Sequence, residues 1–221
     1  MIPDDDAVRK AYDAVADAYA ERFADELSHK PLDRALLRAF VEQLPSTDGL
    51  IGDVGCGPGH VARYLKSLGF RSTGVDLSPA MVDIATRSDP TIEFKVASML
   101  ALPSADGEWD GIVALYSVIH LEPTQVQTAI REFLRVLTDR GLLMLSIHVG
   151  NEVRHVNELL GHAVSLDFRF MEISDLETML IDAGFDVMMS LERSPYEPYE
   201  APTRRGYILA RKASPDSRPD E

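Results

Sequence analysis

Between residues 50 and 148 the chain switches its hydrophobic period repeatedly, and this alternation constrains the fold more than any other feature. The runs LIGDV, RSTGVDL, IEFKVAS, DGIVALYSVIHL and GLLMLSIHV read as short buried strands. GHVARYLKSLG, SPAMVDIATRS and PTQVQTAIREFLRVLT carry apolar residues at helical spacing instead. Ser78 suits an N-cap, Pro79 a first helical turn and Gly69 a helix stop. Strands joined by helices of this length imply right-handed crossovers, and hence a mostly parallel sheet covered on both faces.

The flanking segments extend that core. Val8, Tyr12, Val15, Tyr19, Phe23 and Leu27 mark one face of a first helix, and PLDRALLRAFVEQL, from Pro31 to just before Pro45, forms a second. Past residue 148, NEVRHVNELLGHAVSLDFRFMEI is mixed in character. DLETMLIDAG reads as a helix closed by Gly184, and FDVMMSLER and RGYILARK as two last strands. The predicted fold class is α/β: a doubly wound, mostly parallel seven-stranded sheet with N-terminal helices. A single domain is expected over residues 1–212, with a disordered polar tail over 213–221.

Composition narrows the partners. With 36 acids against 22 bases the formal charge is −14, so the surface should repel phosphate backbones and nucleic acid is not an expected partner. The lone cysteine, Cys56, has no partner for an internal disulfide, and MIPDDDAVRK lacks the apolar stretch of a signal peptide. A cytoplasmic protein is expected. No window reaches the roughly 18 uninterrupted apolar residues of a membrane span.

The stretch DVGCGPGH follows the first strand and precedes a helix, so it aims backbone N–H groups and a positive dipole end at a ligand. A nucleotide triphosphate loop requires a lysine after its last glycine, and none is present. A dinucleotide fingerprint starting at Gly55 and Gly57 requires a third glycine where His60 stands. There remains an adenosine-bearing cofactor of another kind. Asp76, at the end of the next strand, suits a ribose, because a carboxylate accepts hydrogen bonds from a 2′,3′-diol. The bland alternatives are a helix-start acid beside the N-cap Ser78 and a loop that is only a tight turn. Cys56 reads as a small filler, with nothing beside it to lower a thiol pKa.

DVGCGPG, GVDLSPAMV and LPSADGEWDGIVALYSVIHL, in this order, resemble the class I S-adenosylmethionine-dependent methyltransferases of small-molecule type, over about residues 8–212. The resemblance implies a Rossmann-like core and S-adenosylmethionine as cofactor. It implies that Asp53 orders the glycine loop and the methionine amino end, that Gly55, Cys56, Gly57 and Gly59 form the loop, and that Asp76 holds the ribose. Leu77 and Met81 would lie beside the adenine. Many relatives have a Gly-Asp pair after the third strand; Ala97-Ser98 replaces it here, leaving Ser98 or the backbone of Met99 to serve. Tyr116 and Ser117 would flank the methionine part. The first helix, with Tyr12 and Tyr19, resembles an N-terminal lid within residues 1–44, and residues 148–175 match the place where such proteins insert acceptor-binding structure.

For the acceptor, His120 and His148 stand at the predicted ends of the fourth and fifth strands, where open α/β sheets bind ligands, so both are expected to face one cleft. They are the catalytic candidates. HVGNEVRH, with His148, Glu152 and His155, is a weak metal pattern, and no metal is expected. Arg193, Tyr196, Tyr199 and the pair Arg204-Arg205 are also within range, although paired arginines before a strand are usually solvated. Three functions compete: a methyltransferase acting on an oxygen, nitrogen or sulfur of a metabolite, a nicotinamide-dependent oxidoreductase, and a non-catalytic cofactor-binding protein. Monomer and homodimer both remain open.

Overall fold

A computed structural model describes residues 3–214 of the chain. Two helices lead, α1 (Pro3–Phe23) and α2 (Pro31–Val41), with a 3₁₀ turn at Glu26–His29 between them. The core then runs β1 (Leu50–Val54), α3 (His60–Ser67), β2 (Arg71–Asp76), α4 (Pro79–Ser88), β3 (Glu93–Val96), β4 (Trp109–Leu115), α5 (Pro123–Val136) and β5 (Leu137–His148). It closes with β6 (Val153–Leu159), β7 (His162–Arg169), α6 (Ile173–Ala183), β8 (Phe185–Arg193) and β9 (Arg205–Lys212). Seven strands form one sheet in the order β3-β2-β1-β4-β5-β9-β8, with the first five parallel and β9 antiparallel to both of its neighbours.

The sheet is buried on both faces because its strands carry apolar side chains at odd and even positions alike. Ile112, Ala114, Leu143 and Leu145 pack with Val126, Ile130 and Phe133 of α5 and Leu176 of α6. Val113, Leu142 and Met144 point the other way, against Leu37 and Phe40 of α2 and Leu65 of α3. The chain reverses its winding between β1 and β4, so the loops after these two strands open a crevice at the carboxyl edge of the sheet.

Three segments differ from the sequence reading. The apolar run through YSVIHL does not continue β4: Tyr116 adopts a left-handed φ of 52°, and Val118–His120 forms a 3₁₀ turn. His120 therefore sits on that turn and not at a strand end. The mixed segment after residue 148 is an antiparallel hairpin, β6 with β7, turning at Leu160-Gly161, both at positive φ. Its strands lack a clean alternation because β6 is largely exposed on both faces. It packs through β7 on α1 and on the 3₁₀ turn. The helix predicted to run to Thr138 stops at Val136, where the strand begins. Ala213 and Ser214 follow β9 without regular structure, and the rest of the predicted tail, 215–221, lies outside the described residues.

Candidate active site

The glycine loop is held from below. Gly55 and Cys56 donate to the Val75 carbonyl at 2.7 and 3.1 Å, and Asp53 Oδ2 accepts from the Ala62 amide at 3.0 Å, pinning the loop to the first turn of α3. Gly55 has φ +73°, and a Cβ there would stand 2.3 Å from the Ser117 Cβ, so only glycine lets the β1 and β4 loops approach this closely. Gly57 is different: nothing but the edge of Tyr19, at 3.9 Å, lies within reach of an added Cβ. Gly59 lines neither cavity; a Cβ there would stand 2.8 Å from Phe94 and 3.0 Å from Ala85.

Asp76 joins this loop to the next. Its Oδ2 accepts from the Gly57 amide and its Oδ1 from the Ser78 amide, both at 2.8 Å. The carboxylate keeps acceptor capacity for a further donor. Burial raises the Asp76 pKa, while the amides of Ser78, Gly57 and Leu77 oppose the rise. Ser78 is the N-cap of α4 as predicted, accepting from the Met81 amide at 3.2 Å, so the acid and the cap are separate features.

Two cavities meet at this edge of the sheet. The first is lined by Gly55 and Gly57, by Asp76 with Leu77 and Met81, by Ser98 and Met99, and by Ser117 with His120. The second reaches Asp53, Cys56, Lys30, His148, Glu200 and Arg205. Tyr12, Tyr19 and Tyr116 line both, so the two spaces share a tyrosine wall. They enclose about 870 and 1330 Å³, mouths included. The predicted residues are thus divided between two cavities, with His120 on one and His148 on the other.

The family model described as a methyltransferase domain matches residues 51–141, from β1 to the start of β5. Over that stretch the chain is similar to the S-adenosylmethionine-dependent methyltransferases. A putative methyltransferase of Bacillus subtilis, YqeM, is 27% identical over 62% of this chain and 57% of its own length. The malonyl-[acyl-carrier protein] O-methyltransferase of Enterobacter lignolyticus is 30% identical over 59% of this chain and 51% of its own. The chain thus spans little more than half the length of these curated relatives. In fold it is similar to the magnesium protoporphyrin IX methyltransferase of Synechocystis, solved with S-adenosylmethionine bound, at TM-score 0.73, 18% identity, 96% of this chain and 99% of that one.

The first cavity fits the cofactor of these methyltransferases, S-adenosylmethionine. Ser117 Oγ is buried without a hydrogen-bond partner beside Gly55, Gly57 leaves open space along the loop, and Asp76 offers further acceptor capacity. The roof is α1. Asp13 Oδ1 accepts from Ser78 Oγ at 2.6 Å and from the Ala80 amide at 3.2 Å, fastening α1 to the start of α4. Tyr12 fastens it elsewhere, with its hydroxyl 2.8 Å from His120 Nε2.

The tautomer of His120 follows from its partners. Nδ1 lies 2.8 Å from the Asp167 carbonyl oxygen, which can only accept, so Nδ1 carries the proton and Nε2 accepts from Tyr12. Burial lowers the His120 pKa to about 4, against partial recovery from the Asp167 carbonyl. An imidazole with a depressed folded pKa binds fewer protons folded than unfolded between pH 6.5 and about 4, so stability falls as pH drops through that window. His120→Asn is expected to remove about 2 kcal/mol of the stability that wild type loses between about pH 7 and 5. Asp53, raised to about 7 by burial, titrates in the opposite sense. The difference between the two proteins in urea unfolding therefore carries the result, and equal losses would mean that His120 is not buried neutral.

His148 is also held neutral. Its Nδ1 faces an Arg205 Nη, which can only donate, and Thr203 Oγ1 at 2.8 Å, so Nδ1 is the nearer acceptor of the two ring nitrogens, Nε2 lying 3.3 Å from the same Nη. Burial, then the Arg205 charge, lowers its pKa to about 3. Cys56 is buried with its thiol pKa raised by burial and by Asp76 and Asp53, which leaves it a filler. The exposed His155 instead pairs with Asp167 at 2.7 Å on the hairpin, away from both cavities, and among the described residues no group of metal-ligating side chains is present.

Several residues at or beside the cavities were missed from sequence. Asp13 acts through Ser78 and Ala80, far away in the chain, and nothing local marked Lys30 or Glu200 as reaching a cavity. Arg205, grouped with solvated arginines, is 4% exposed at the second cavity, while Arg204 is the exposed one, paired with Glu192. A charged residue just ahead of the apolar run YILA in RGYILARK was the available clue. Among the described residues no helix is long and apolar enough to cross a membrane.

Proposed function

We propose that this chain transfers the methyl group of S-adenosylmethionine to an oxygen, nitrogen or sulfur atom of a small-molecule metabolite held in the second cavity. The observation that carries the reading is the shared wall of Tyr12, Tyr19 and Tyr116 between the two cavities. When bound, the cofactor supplies a sulfonium methyl group for in-line displacement by a nucleophile. Asp76 would hold the ribose hydroxyls, Ser117 Oγ would bond the methionine end, and Leu77, Met81, Ser98 and Met99 would enclose the adenine. The tyrosine wall would exclude water and steady the positive charge by its ring faces.

Neither histidine keeps a free basic nitrogen in this arrangement. His120 orients Tyr12, whose hydroxyl proton points at Nε2, and His148 would offer an Nε2–H to the acceptor. Catalysis would then rest on alignment of an acceptor that is already nucleophilic. The −14 charge favours a small molecule over a nucleic acid, and the O-methyltransferase among the relatives is in keeping with an oxygen acceptor. The experiment is equilibrium binding of S-adenosylmethionine, S-adenosylhomocysteine and NADH, followed by turnover on a metabolite panel with labelled cofactor. Binding of NADH without S-adenosylmethionine would sink the reading, and cofactor binding without methylation of any metabolite would leave a non-catalytic binder.

A further inference from the structure

The second cavity holds two buried cations, although the chain as a whole carries a formal charge of −14. Lys30 and Arg205 are 7% and 4% exposed there, and both approach the same ring: Lys30 Nζ lies 5.1 Å and Arg205 Cζ 5.2 Å from the Tyr116 centroid. A buried cation is costly unless an acid or a set of hydrogen bonds compensates it, so the partners of each decide what the cavity lacks.

Lys30 is served by Glu26 at 3.0 Å, and Glu26 also holds His60 at 2.9 Å. Glu200 is the acid within ion-pair range of Arg205, but its carboxylate is gripped by both Nη atoms of Arg193, at 2.6 and 2.9 Å, and by the Tyr196 amide at 2.7 Å. It stands 3.7 Å from Arg205 Nε, beyond hydrogen-bond reach. Arg205 Nε is buried with no hydrogen-bond partner, and its Nη groups meet only neutral acceptors, His148 and the Ala201 carbonyl. The cavity therefore holds a guanidinium that makes no hydrogen bond to an acid and keeps donors beyond those used on His148 and Ala201. A guanidinium fork matches a carboxylate in shape and charge.

We propose that the second cavity binds a small carboxylate with a flat apolar body, anchored on Arg205 with Lys30 as the second cation, and with the Tyr12, Tyr116 and Phe168 rings against its body. The inference rests on the reading of this cavity as the acceptor side. It accounts for the absence of a free basic nitrogen, since an acceptor bound as an anion needs no proton removed from the group that Arg205 holds.

The test is calorimetric titration of benzoate and benzamide into the protein saturated with S-adenosylhomocysteine. Benzoate is expected to bind at least about tenfold more tightly than benzamide. Arg205→Gln should erase that preference and leave S-adenosylhomocysteine affinity unchanged. If Arg205→Gln does not fold, Arg205→Lys and Lys30→Gln take its place, each expected to weaken benzoate several-fold without moving benzamide. Equal binding of the two probes, no benzoate binding at millimolar concentration, or a preference untouched by these substitutions overturns the inference while S-adenosylhomocysteine still binds. Failure of S-adenosylhomocysteine to bind overturns the proposed function and this inference together.

Discussion

Arg193→Met is expected to destabilise the protein by about 3–5 kcal/mol, because it strands two buried acids at once. Asp33 and Glu200 each have side chains 1% exposed, and Arg193 is the cation that reaches both, at 3.0 Å and 2.6 Å. Its Nη2 also donates to the Tyr207 hydroxyl at 2.6 Å, and that hydroxyl donates to Asp33 Oδ1 at 3.0 Å. Burial raises the Asp33 pKa against the pull of Lys30 and Arg193, so part of the loss would be recovered by protonating it. For Glu200 the burial penalty is outweighed by Arg193, holding it at about 2. Urea unfolding at neutral pH measures the effect, with Arg193→Met/Asp33→Asn expected to lose less than the single substitution. A loss below about 1 kcal/mol, as for an exposed pair, would mean that water reaches these carboxylates.

Asp76→Ala is expected to weaken S-adenosylhomocysteine binding by about 1.5–3 kcal/mol, the scale of hydrogen bonds to a charged group. The substitution also frees the Gly57 and Ser78 amides, each now 2.8 Å from a carboxylate oxygen. Asp76→Asn separates the two contributions: one side-chain oxygen can still accept an amide, but the charge is gone. Affinity measured by calorimetry on folded protein decides the matter. An unchanged dissociation constant in Asp76→Ala would remove this carboxylate from the cofactor site.

Local features were legible and distant ones were not. The strands and helices from Leu50 to His148 could be read because each announces itself within a dozen residues, and the DVGCGPG loop and Asp76 sit where strand ends must lie. Tyr116 defeated the strand reading because its left-handed backbone hides inside an apolar run. The β6-β7 hairpin was obscured by polar residues on both faces of β6. The Lys30, Arg193, Glu200 and Arg205 cluster joins the second helix to the last two strands and their connection, a meeting that only the antiparallel placement of β9 between β5 and β8 creates. No window of sequence contains it.

The hydrogen-bonded chain from Tyr12 through His120 to the Asp167 carbonyl ties α1 and the hairpin to one imidazole. Tyr12 and His120 are 108 positions apart, so under the proposed function an exchange of cofactor that lifts α1 would break a contact between distant segments of the chain. Under the proposed function, the rate at which that roof opens would cap turnover, and a faster chemical step alone would not pass it.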